Sequence, residues 1–421
     1  MTHWHIITGE YPPQPGGVSD YTRAVARGLA DAGDRVDVWA PPVDLSNRGS
    51  ARDPGSVARG GPDAPLRFLA GARCAPSSPE HTNDGITVHR LPDRFGPRAL
   101  RMLSRELDGR PAPRRLLVQY VPHAFGWKAA NVPFCLWLQS RRRDSIWVMF
   151  HEVAFPFERD QALSRNALAI VNRLMASIVA SSAERAFVSI PGWREMVQSM
   201  IGAGKPVEWL PVPSSIPVVV DRAASAAVRA RYGGTRPIVG NFGANGPVIR
   251  EMLLASIPQL IDATDCCVLL VGSRSDVVQR ELIERHPRLD GRVHATGTLP
   301  DAAVSTHVAA CDVMLQPYPD GVSSRRTSAM VALSHGRPMV TTSGWLTEPL
   351  WEESCAVELV PASEPEALAA AAAQLLASDG RRGKLAARAY DLYRSRFDLP
   401  HSIRALRHAD AESCGVAPAH A

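Results

Sequence analysis

Short apolar runs typical of strands alternate with helical segments along most of this chain, and that alternation constrains the fold more than any other feature. Strands are predicted at Arg115–Tyr120, Ile146–Phe150 and Ile238–Phe242, for example, each followed by a helical segment. A strand that returns to its own sheet through a helix pairs in parallel with its neighbour. The sequence therefore predicts an α/β fold of doubly wound parallel sheets.

The length of 421 residues is enough for two domains of ordinary size. The alternation is interrupted at the proline-rich stretch Pro211–Pro217, where we place the domain boundary. A long stretch without periodicity, rich in Pro, Gly, Arg, Ala and Ser, is predicted to be a flexible loop over 41–83. The predicted segments are an N-terminal domain over 1–213, a linker over 214–236, a C-terminal domain over 237–396 and a tail over 397–421.

The composition excludes several function classes. Hydrophobic residues make up 45% and charged residues 21%, and no apolar run approaches the length of a membrane span. The first residues lack the pattern of a secretory leader, so a cytoplasmic protein is expected. The net charge is +5, but no basic run with interleaved aromatic residues occurs, which argues against nucleic-acid binding. The mild basic excess is compatible with anionic substrates and with peripheral contact at the inner face of a membrane.

Cysteine and histidine spacing predicts neither disulfides nor a metal site. The seven cysteines are odd in number and form no CxxC motif, which is typical of reduced thiols. None of the thirteen histidines stands at metal-ligand spacing from cysteine or acidic partners. The metal prediction is therefore none.

The stretch Gln316–Gly344 carries the most chemistry. A buried strand ends near Gln316, a turn with Asp320 follows, a helix is predicted over Ser324–Ser334, and a second strand begins at Met339. The free N–H groups at a helix start favour an anion, and Ser323, Ser324, Arg325 and Arg326 add hydroxyl and guanidinium donors suited to phosphate oxygens. We interpret this as a diphosphate pocket, the alternative being two surface arginines on an exposed turn.

Further candidates lie at the ends of other strands. Near the N-terminus, Gly16 and Gly17 precede a helix and let the backbone approach a ligand closely. His151 follows the strand Ile146–Phe150, at the edge where parallel sheets bind ligands. Glu348, in the loop after a C-terminal strand, could hydrogen-bond a ribose or a sugar, or it is a solvent-facing acid.

These motifs resemble those of the two-domain GT-B glycosyltransferases, and more closely glycosyltransferase family 4. The similarity covers nearly the whole chain. It depends on four segments that match the family's patterns, which are Tyr11–Val18 with Tyr21, His151 at a strand end, Asn241–Gly243, and Ala332 followed by Gly336–Val340.

The resemblance implies a fold of two Rossmann-like domains that face each other across a cleft. It implies hexosyl transfer from a nucleotide-sugar to a hydroxyl of a glycan or lipid-linked acceptor, in cell-surface polysaccharide or glycolipid synthesis. Retention of configuration is expected, and no resident cofactor is implied because the nucleotide-sugar is a co-substrate. No metal ion is expected either, because protein donors and helix N-termini would neutralise the leaving diphosphate. His151 would act near the donor sugar, and Tyr11 would contact the acceptor. The implied donor-binding residues are Gly16, Gly17, Asn241, Gly243, Asp320, Ser323, Ser324 and Glu348.

The sequence departs from the family at its charged positions. Ser323 and Val331 stand where the family usually has two glutamates, and Asn241 and Arg250 stand in place of its usual phosphate-binding bases. We therefore assign stabilisation of the leaving diphosphate to Arg325 and Arg326. The alternative is a non-catalytic GT-B scaffold that binds a sugar nucleotide or a partner protein. A dinucleotide enzyme is disfavoured, because no G-x-G-x-x-G turn with a suitably placed acid occurs.

Overall fold

The computed structural model describes residues 1–14, 16–43, 80–81, 85–155, 157 and 162–413. The chain divides into two compact units, Met1–Leu210 and Pro211–Ala421. Each unit is built on an open sheet of mainly parallel strands, as the alternation of strands and helices predicts.

The sheet of the N-terminal unit has the order β3-β4-β2-β1-β5-β6-β7-β8, parallel except for β3. Its strands are β1 (His3–Thr8), β2 (Arg35–Ala40), β3 (Glu80–His81), β4 (Ile86–Arg90), β5 (Arg115–Tyr120), β6 (Ser145–Phe150), β7 (Arg185–Val188) and β8 (Val207–Trp209). Its helices are α1 (Gly17–Asp31), α2 (Pro97–Asp108), α3 (Val132–Ser140), α4 (Leu163–Ser182) and α5 (Arg194–Ile201), with short 3-10 turns at Trp127–Ala129 and Pro191–Trp193.

The central strands of this sheet are buried on both faces, which explains why they are almost continuously apolar. All six residues of β5 are buried. On one face, alternate residues such as Val118, Tyr120 and Phe150 pack with Phe125 and Phe134 in one core cluster. Burial of this kind contributes roughly 1.5–3 kcal/mol for each large apolar side chain.

The sheet of the C-terminal unit is parallel throughout, with the order β11-β10-β9-β12-β13-β14. Its strands are β9 (Ile238–Phe242), β10 (Cys267–Val271), β11 (Val293–Ala295), β12 (Val313–Gln316), β13 (Met339–Ser343) and β14 (Glu358–Pro361). Its helices are α6 (Arg222–Tyr232), α7 (Pro247–Ala263), α8 (Ser275–Arg285), α9 (Asp301–Ala310), α10 (Thr327–Ser334), α11 (Pro349–Ser354), α12 (Ala367–Leu376), α13 (Asp379–Leu392) and α14 (Leu399–Ser413), with short helical turns at Pro287–Leu289 and Tyr393–Phe397.

Two segments predicted as a linker and a tail are helical. Within 214–236, α6 is capped by Asp221 and is tied to the end of α9 by Arg229, which donates to the Ala310 carbonyl at 3.2 Å. Within 397–421, α14 buries Ile403, Leu406 and Ala409, which recur every three residues along one side of the helix. Linkers and tails can carry an apolar stripe as sparse as that of α14. Such a stripe gives only a weak helical pattern in the sequence, which explains why the helix was not predicted.

The predicted flexible loop over 41–83 lies largely outside the described residues, which omit 44–79 and 82–84. Its described end forms β3, which was not predicted and pairs antiparallel with β4, Glu80 opposite Val88. Among the described helices, none is long and apolar enough to cross a bilayer.

Candidate active site

The strand order of the C-terminal unit creates a reversal point between β9 and β12. The chain leaves these two neighbouring strands toward opposite sides, through β10 on one side and β13 on the other. Such a switch point opens a crevice at the carboxyl ends of the strands, where open α/β sheets bind ligands. Asn241 lies near the end of β9, and the loops that follow β9 and β12 hold Gly243 and the stretch from Asp320 to Arg326.

The two predicted arginines lie on a tight turn between β12 and α10. Arg325 Nη2 donates to Asp320 Oδ2 at 2.8 Å, and Arg326 is paired with the other oxygen of the same carboxylate. The Arg326 guanidinium also stacks over the Tyr318 ring, 4.8 Å from its centroid. Asp320 therefore holds two guanidiniums side by side and leaves the turn with a net positive charge. Its own oxygens face the arginines, so it acts here as a positioning residue.

Glu348 fixes the same turn from the other side. Its Oε1 accepts a hydrogen bond from the Ser324 backbone N–H at 2.9 Å and another from the Ser324 hydroxyl. Its Oε2 accepts from Trp351 Nε1 at 2.7 Å. Burial raises the pKa of Glu348, and the hydrogen bonds from Ser324 and Trp351 oppose that rise. With 6% of its surface exposed, Glu348 supports the turn from within, and its predicted contact with a donor remains a prediction.

The turn is packed so closely against the loop after β13 that only glycine suits position 321. Gly321 has a φ of 85°, and a Cβ there would collide with Gly344 and Thr347. A backbone hydrogen bond from the Leu346 N–H to the Asp320 carbonyl, at 3.0 Å, joins this turn to the loop that follows β13. The Asp320 carboxylate is thereby carried on a rigid backbone.

The predicted residues on β9 lie beside this turn in the sheet. Asn241 is 2% exposed, and its Nδ2 donates to the Leu315 carbonyl at 2.8 Å and to Gln316 Oε1 at 3.0 Å across the β9–β12 pair. Gly243 donates to the Val271 carbonyl and has open space where a side chain would stand. Asn241 therefore joins the two strands that flank the switch point.

Several buried polar atoms at this edge have no hydrogen-bond partner. They are the oxygens Asn241 Oδ1, Asn245 Oδ1 and Ser323 Oγ, and the nitrogen Arg326 Nε. A buried polar atom without a partner costs about 1–3 kcal/mol, and such atoms concentrate where function compensates for the cost. Ser323 lies in the predicted anion site, although it is fully buried.

In the N-terminal unit, His151 lies at the carboxyl end of β6, as predicted. Its Nε2 is 2.8 Å from Gln119 Oε1 on β5, and its ring packs edge-on against Tyr21 at 4.8 Å between centroids. Burial lowers the pKa of His151 to about 3, so the imidazole is neutral at physiological pH. A neutral imidazole can exchange hydrogen bonds with hydroxyl groups but adds no positive charge.

The Gly16-Gly17 pair begins α1, with Gly16 at the N-cap and Gly17 as the first helical residue. A Cβ on residue 16 would meet the end of the flexible Glu10 side chain, so Gly16 lets the Glu10 carboxylate lie against the start of α1. Tyr11 is only 5% exposed, and the Arg90 guanidinium covers its ring at 5.7 Å. Its predicted acceptor contact remains a prediction, and the structure shows a packing role.

Sequence analysis missed Glu10 and His123, which join this edge after β1 and β5. Burial raises the pKa of Glu10, and the positive charges of His123 and Arg94 oppose that rise. His123 Nδ1 is 3.8 Å from Glu152 Oε2 in the loop after β6. Their position directly after predicted strands was the available sequence signal. In the C-terminal unit, Gln316 and Tyr318 were missed in the same way.

Comparison with known proteins bears on the C-terminal unit first. Residues 238–378 match the family described as glycosyl transferases group 1. Among curated proteins, no sequence is significantly similar to this chain.

Solved structures resemble the chain over its full length. They include sucrose-phosphate synthase from Thermosynechococcus elongatus, with TM-score 0.69 and 17% identity over 99% of this chain and 100% of that one. HepE from Anabaena in complex with UDP has TM-score 0.64 and 16% identity over 98% and 100%. WaaG, a glycosyltransferase involved in lipopolysaccharide biosynthesis, has TM-score 0.60 and 12% identity over 97% and 98%. Residues 238–378 thus form a glycosyl transferases group 1 domain, and the chain has the two-domain α/β fold of GT-B glycosyltransferases.

Proposed function

We propose that this protein is a glycosyltransferase that transfers a hexose from a nucleotide-sugar donor to a hydroxyl of a glycan or lipid-linked acceptor. The observation that carries the proposal is the paired guanidinium groups of Arg325 and Arg326 at the switch point of the group 1 domain. HepE, a structural neighbour, binds UDP and UDP-glucose, so UDP-sugars are the first donors to test.

The chemistry follows from the charge at the turn. The difficult step is departure of the nucleoside diphosphate from an oxocarbenium-like carbon, because a further negative charge develops on a diphosphate that already carries two. Guanidinium groups held by Asp320 before the donor arrives need no reorganisation when that charge appears. Arg325 and Arg326 would bind the diphosphate oxygens, while Asp320 and Glu348 position them.

The N-terminal unit is proposed to supply groups for the donor sugar, the phosphates and the acceptor. The neutral His151 would hydrogen-bond a sugar hydroxyl, and the helix start at Gly16 and Gly17 would lie close to phosphate oxygens. Glu10, with its raised pKa, is a candidate base for the acceptor hydroxyl.

The finer assignment includes family 4, retention of the anomeric configuration and no requirement for a metal ion. It also includes action in the cytoplasm, at the inner face of the membrane, in cell-surface polysaccharide or glycolipid synthesis. Each of these extends the resemblance in sequence motifs, with Arg325 and Arg326 standing in for the missing charged residues.

A donor screen tests the proposal. UDP-, GDP-, ADP- and dTDP-sugars are added to the full chain, and the melting temperature and release of nucleoside diphosphate are measured. One donor class should raise the melting temperature and be turned over, because a ligand that binds only the folded state stabilises it. Arg325→Ala and Arg326→Ala should abolish both effects, whereas the control Arg280→Ala, on the exposed side of α8, should not. Normal turnover by both turn variants would overturn the phosphate role.

The second candidate is a non-catalytic GT-B scaffold. The observation that favours it is Val331, which is fully buried in α10 at the position where the family usually carries a glutamate. In that case a sugar nucleotide would raise the melting temperature without any release of diphosphate, even in the presence of candidate acceptors.

A further inference from the structure

Four polar side chains from three neighbouring strands meet on one face of the N-terminal sheet. His3 and His5 are two residues apart on β1, so both project from the same face. Asp37 on β2 stands opposite His5 in the strand register, and His89 lies on β4, the next strand outward. Among the described residues, His3, His5 and Asp37 are the one group of His, Cys, Asp or Glu side chains able to hold a metal ion.

The cluster combines hydrogen bonds to Asp37 with one contact that has the spacing of two metal ligands. His5 Nδ1 lies 3.4 Å from Asp37 Oδ2, and it is fully buried without a hydrogen-bond partner. His3 Nε2 lies 2.8 Å from the same oxygen. In a tetrahedral Zn²⁺ site with bonds of about 2.0–2.1 Å, neighbouring ligand atoms are about 3.3 Å apart. The His5–Asp37 pair already has that separation, the His3–Asp37 pair is about 0.5 Å closer, and all three ligand atoms lie within 4.8 Å of one another.

His89 orients the Asp37 carboxylate, and the partly exposed His3 leaves an entry path for an ion. His89 Nε2 lies 3.2 Å from Asp37 Oδ1, the oxygen on the other side of the carboxylate, and thus orients it. His89 is in turn stacked on Trp39 at 4.0 Å. The His3 side chain is 31% exposed, so an ion could enter from that side. Arg110 Nη2 lies 3.2 Å from Asp37 Oδ2, the oxygen that faces both histidines, and its positive charge lowers the affinity for a cation.

We propose that His3 Nε2, His5 Nδ1 and Asp37 Oδ2 bind one divalent transition-metal ion of the zinc class, with solvent as the fourth ligand. Two imidazoles and one carboxylate form a donor set that suits Zn²⁺ better than Mg²⁺ or Ca²⁺, which prefer oxygen ligands. His5 precedes the carboxyl end of β1 by three residues, or about 10 Å. The ion therefore joins β1 to β2 as a structural element, apart from the residues proposed for transfer.

The test uses the untagged full chain, stripped with a chelator and then dialysed against dilute Zn²⁺. Metal analysis should find about one Zn²⁺ per chain, and added Zn²⁺ should raise the melting temperature by roughly 5–10 °C at saturation. Co²⁺ should give the visible absorption bands of a tetrahedral site. His3→Gln and His5→Gln should each weaken binding by at least tenfold and remove the thermal shift.

His286→Gln, in the C-terminal unit, is the matched control and should bind Zn²⁺ like the parent chain. His3 is partly exposed in the parent, so the His3→Gln variant should fold normally, which circular dichroism checks directly. If the parent retains no Zn²⁺, or if all variants bind it equally, the proposal is overturned and the cluster is a hydrogen-bonded carboxylate. Because no step uses donor or acceptor, the outcome is independent of the proposed transferase activity.

Discussion

The carboxyl edges of the two sheets have the same strand order around their central strands but different electrostatic character. At the C-terminal edge, the half-buried Asp320 and the buried Glu348 position a cationic turn. At the N-terminal edge, His151 is neutral and Glu10 is an acid with a raised pKa. One edge is suited to a diphosphate and the other to uncharged hydroxyl groups. The difference shows how one backbone scheme gives two kinds of binding surface through a few loop residues.

The largest expected effect concerns the cationic edge. Arg326→Ala should lower kcat with the preferred donor by about 10²–10³-fold, because it removes one charged donor from the developing diphosphate. Arg326→Lys should recover part of the rate, since it keeps the charge but not the forked geometry. Steady-state release of nucleoside diphosphate measures both. An unchanged kcat in Arg326→Ala would remove the functional contrast between the two edges.

The next effect concerns how that edge is held. Glu348→Ala should lower the free energy of unfolding by about 3 kcal/mol, because Ser324 and Trp351 lose a buried acceptor. Urea denaturation measures the change. The control is Glu352→Ala, on the exposed side of α11, the helix that begins directly after Glu348. It should change the free energy of unfolding by about 0.5 kcal/mol or less. Equal effects would show that Glu348 does not support the turn.

A smaller effect concerns the neutral edge and depends on pH. His151 has a folded-state pKa of about 3 against an unfolded value of 6.5, so the unfolded chain binds the extra proton as pH falls. The stability contributed by neutral His151 is therefore complete above pH 6.5 and is lost progressively below it. We expect a loss of about 2 kcal/mol between pH 7 and pH 5. The loss should be correspondingly smaller in His151→Gln, as measured by denaturation at both pH values. An identical pH dependence in the variant would contradict a neutral, buried His151.

The smallest effect concerns the close contact between Gly16, at the start of α1, and the Glu10 side chain. Gly16→Ala should destabilise the chain by about 1 kcal/mol or less, because the Glu10 side chain can move away from the new methyl group. If Glu10 lies in the acceptor site, the change in acceptor KM, expressed as a free energy, should exceed the change in the free energy of unfolding. Thermal denaturation and acceptor kinetics together separate the two. A change in stability alone would limit Gly16 to packing.

The sequence by itself determined the class of fold and most of the strands. The apolar runs Arg115–Tyr120 and Ile238–Phe242 are strands with the predicted bounds, because a fully buried parallel strand needs a continuous apolar run. The placement of Arg325, Arg326 and His151 just after strands also followed from chain order, since parallel strands all end at the same edge. The helix α6 was missed because it has no buried position, and α14 was missed because its few buried positions resemble linker sequence.

Tertiary structure decided what each of these residues contacts. The bonds of Glu348 to Ser324 span 24 positions, and those of Asn241 to Leu315 span 74, so no local spacing could reveal them. The same holds for His5 and Asp37, which are opposite one another only because β1 and β2 pair in one register. Local sequence encodes burial and period, whereas the identity of a polar partner depends on the strand order that brings distant segments together.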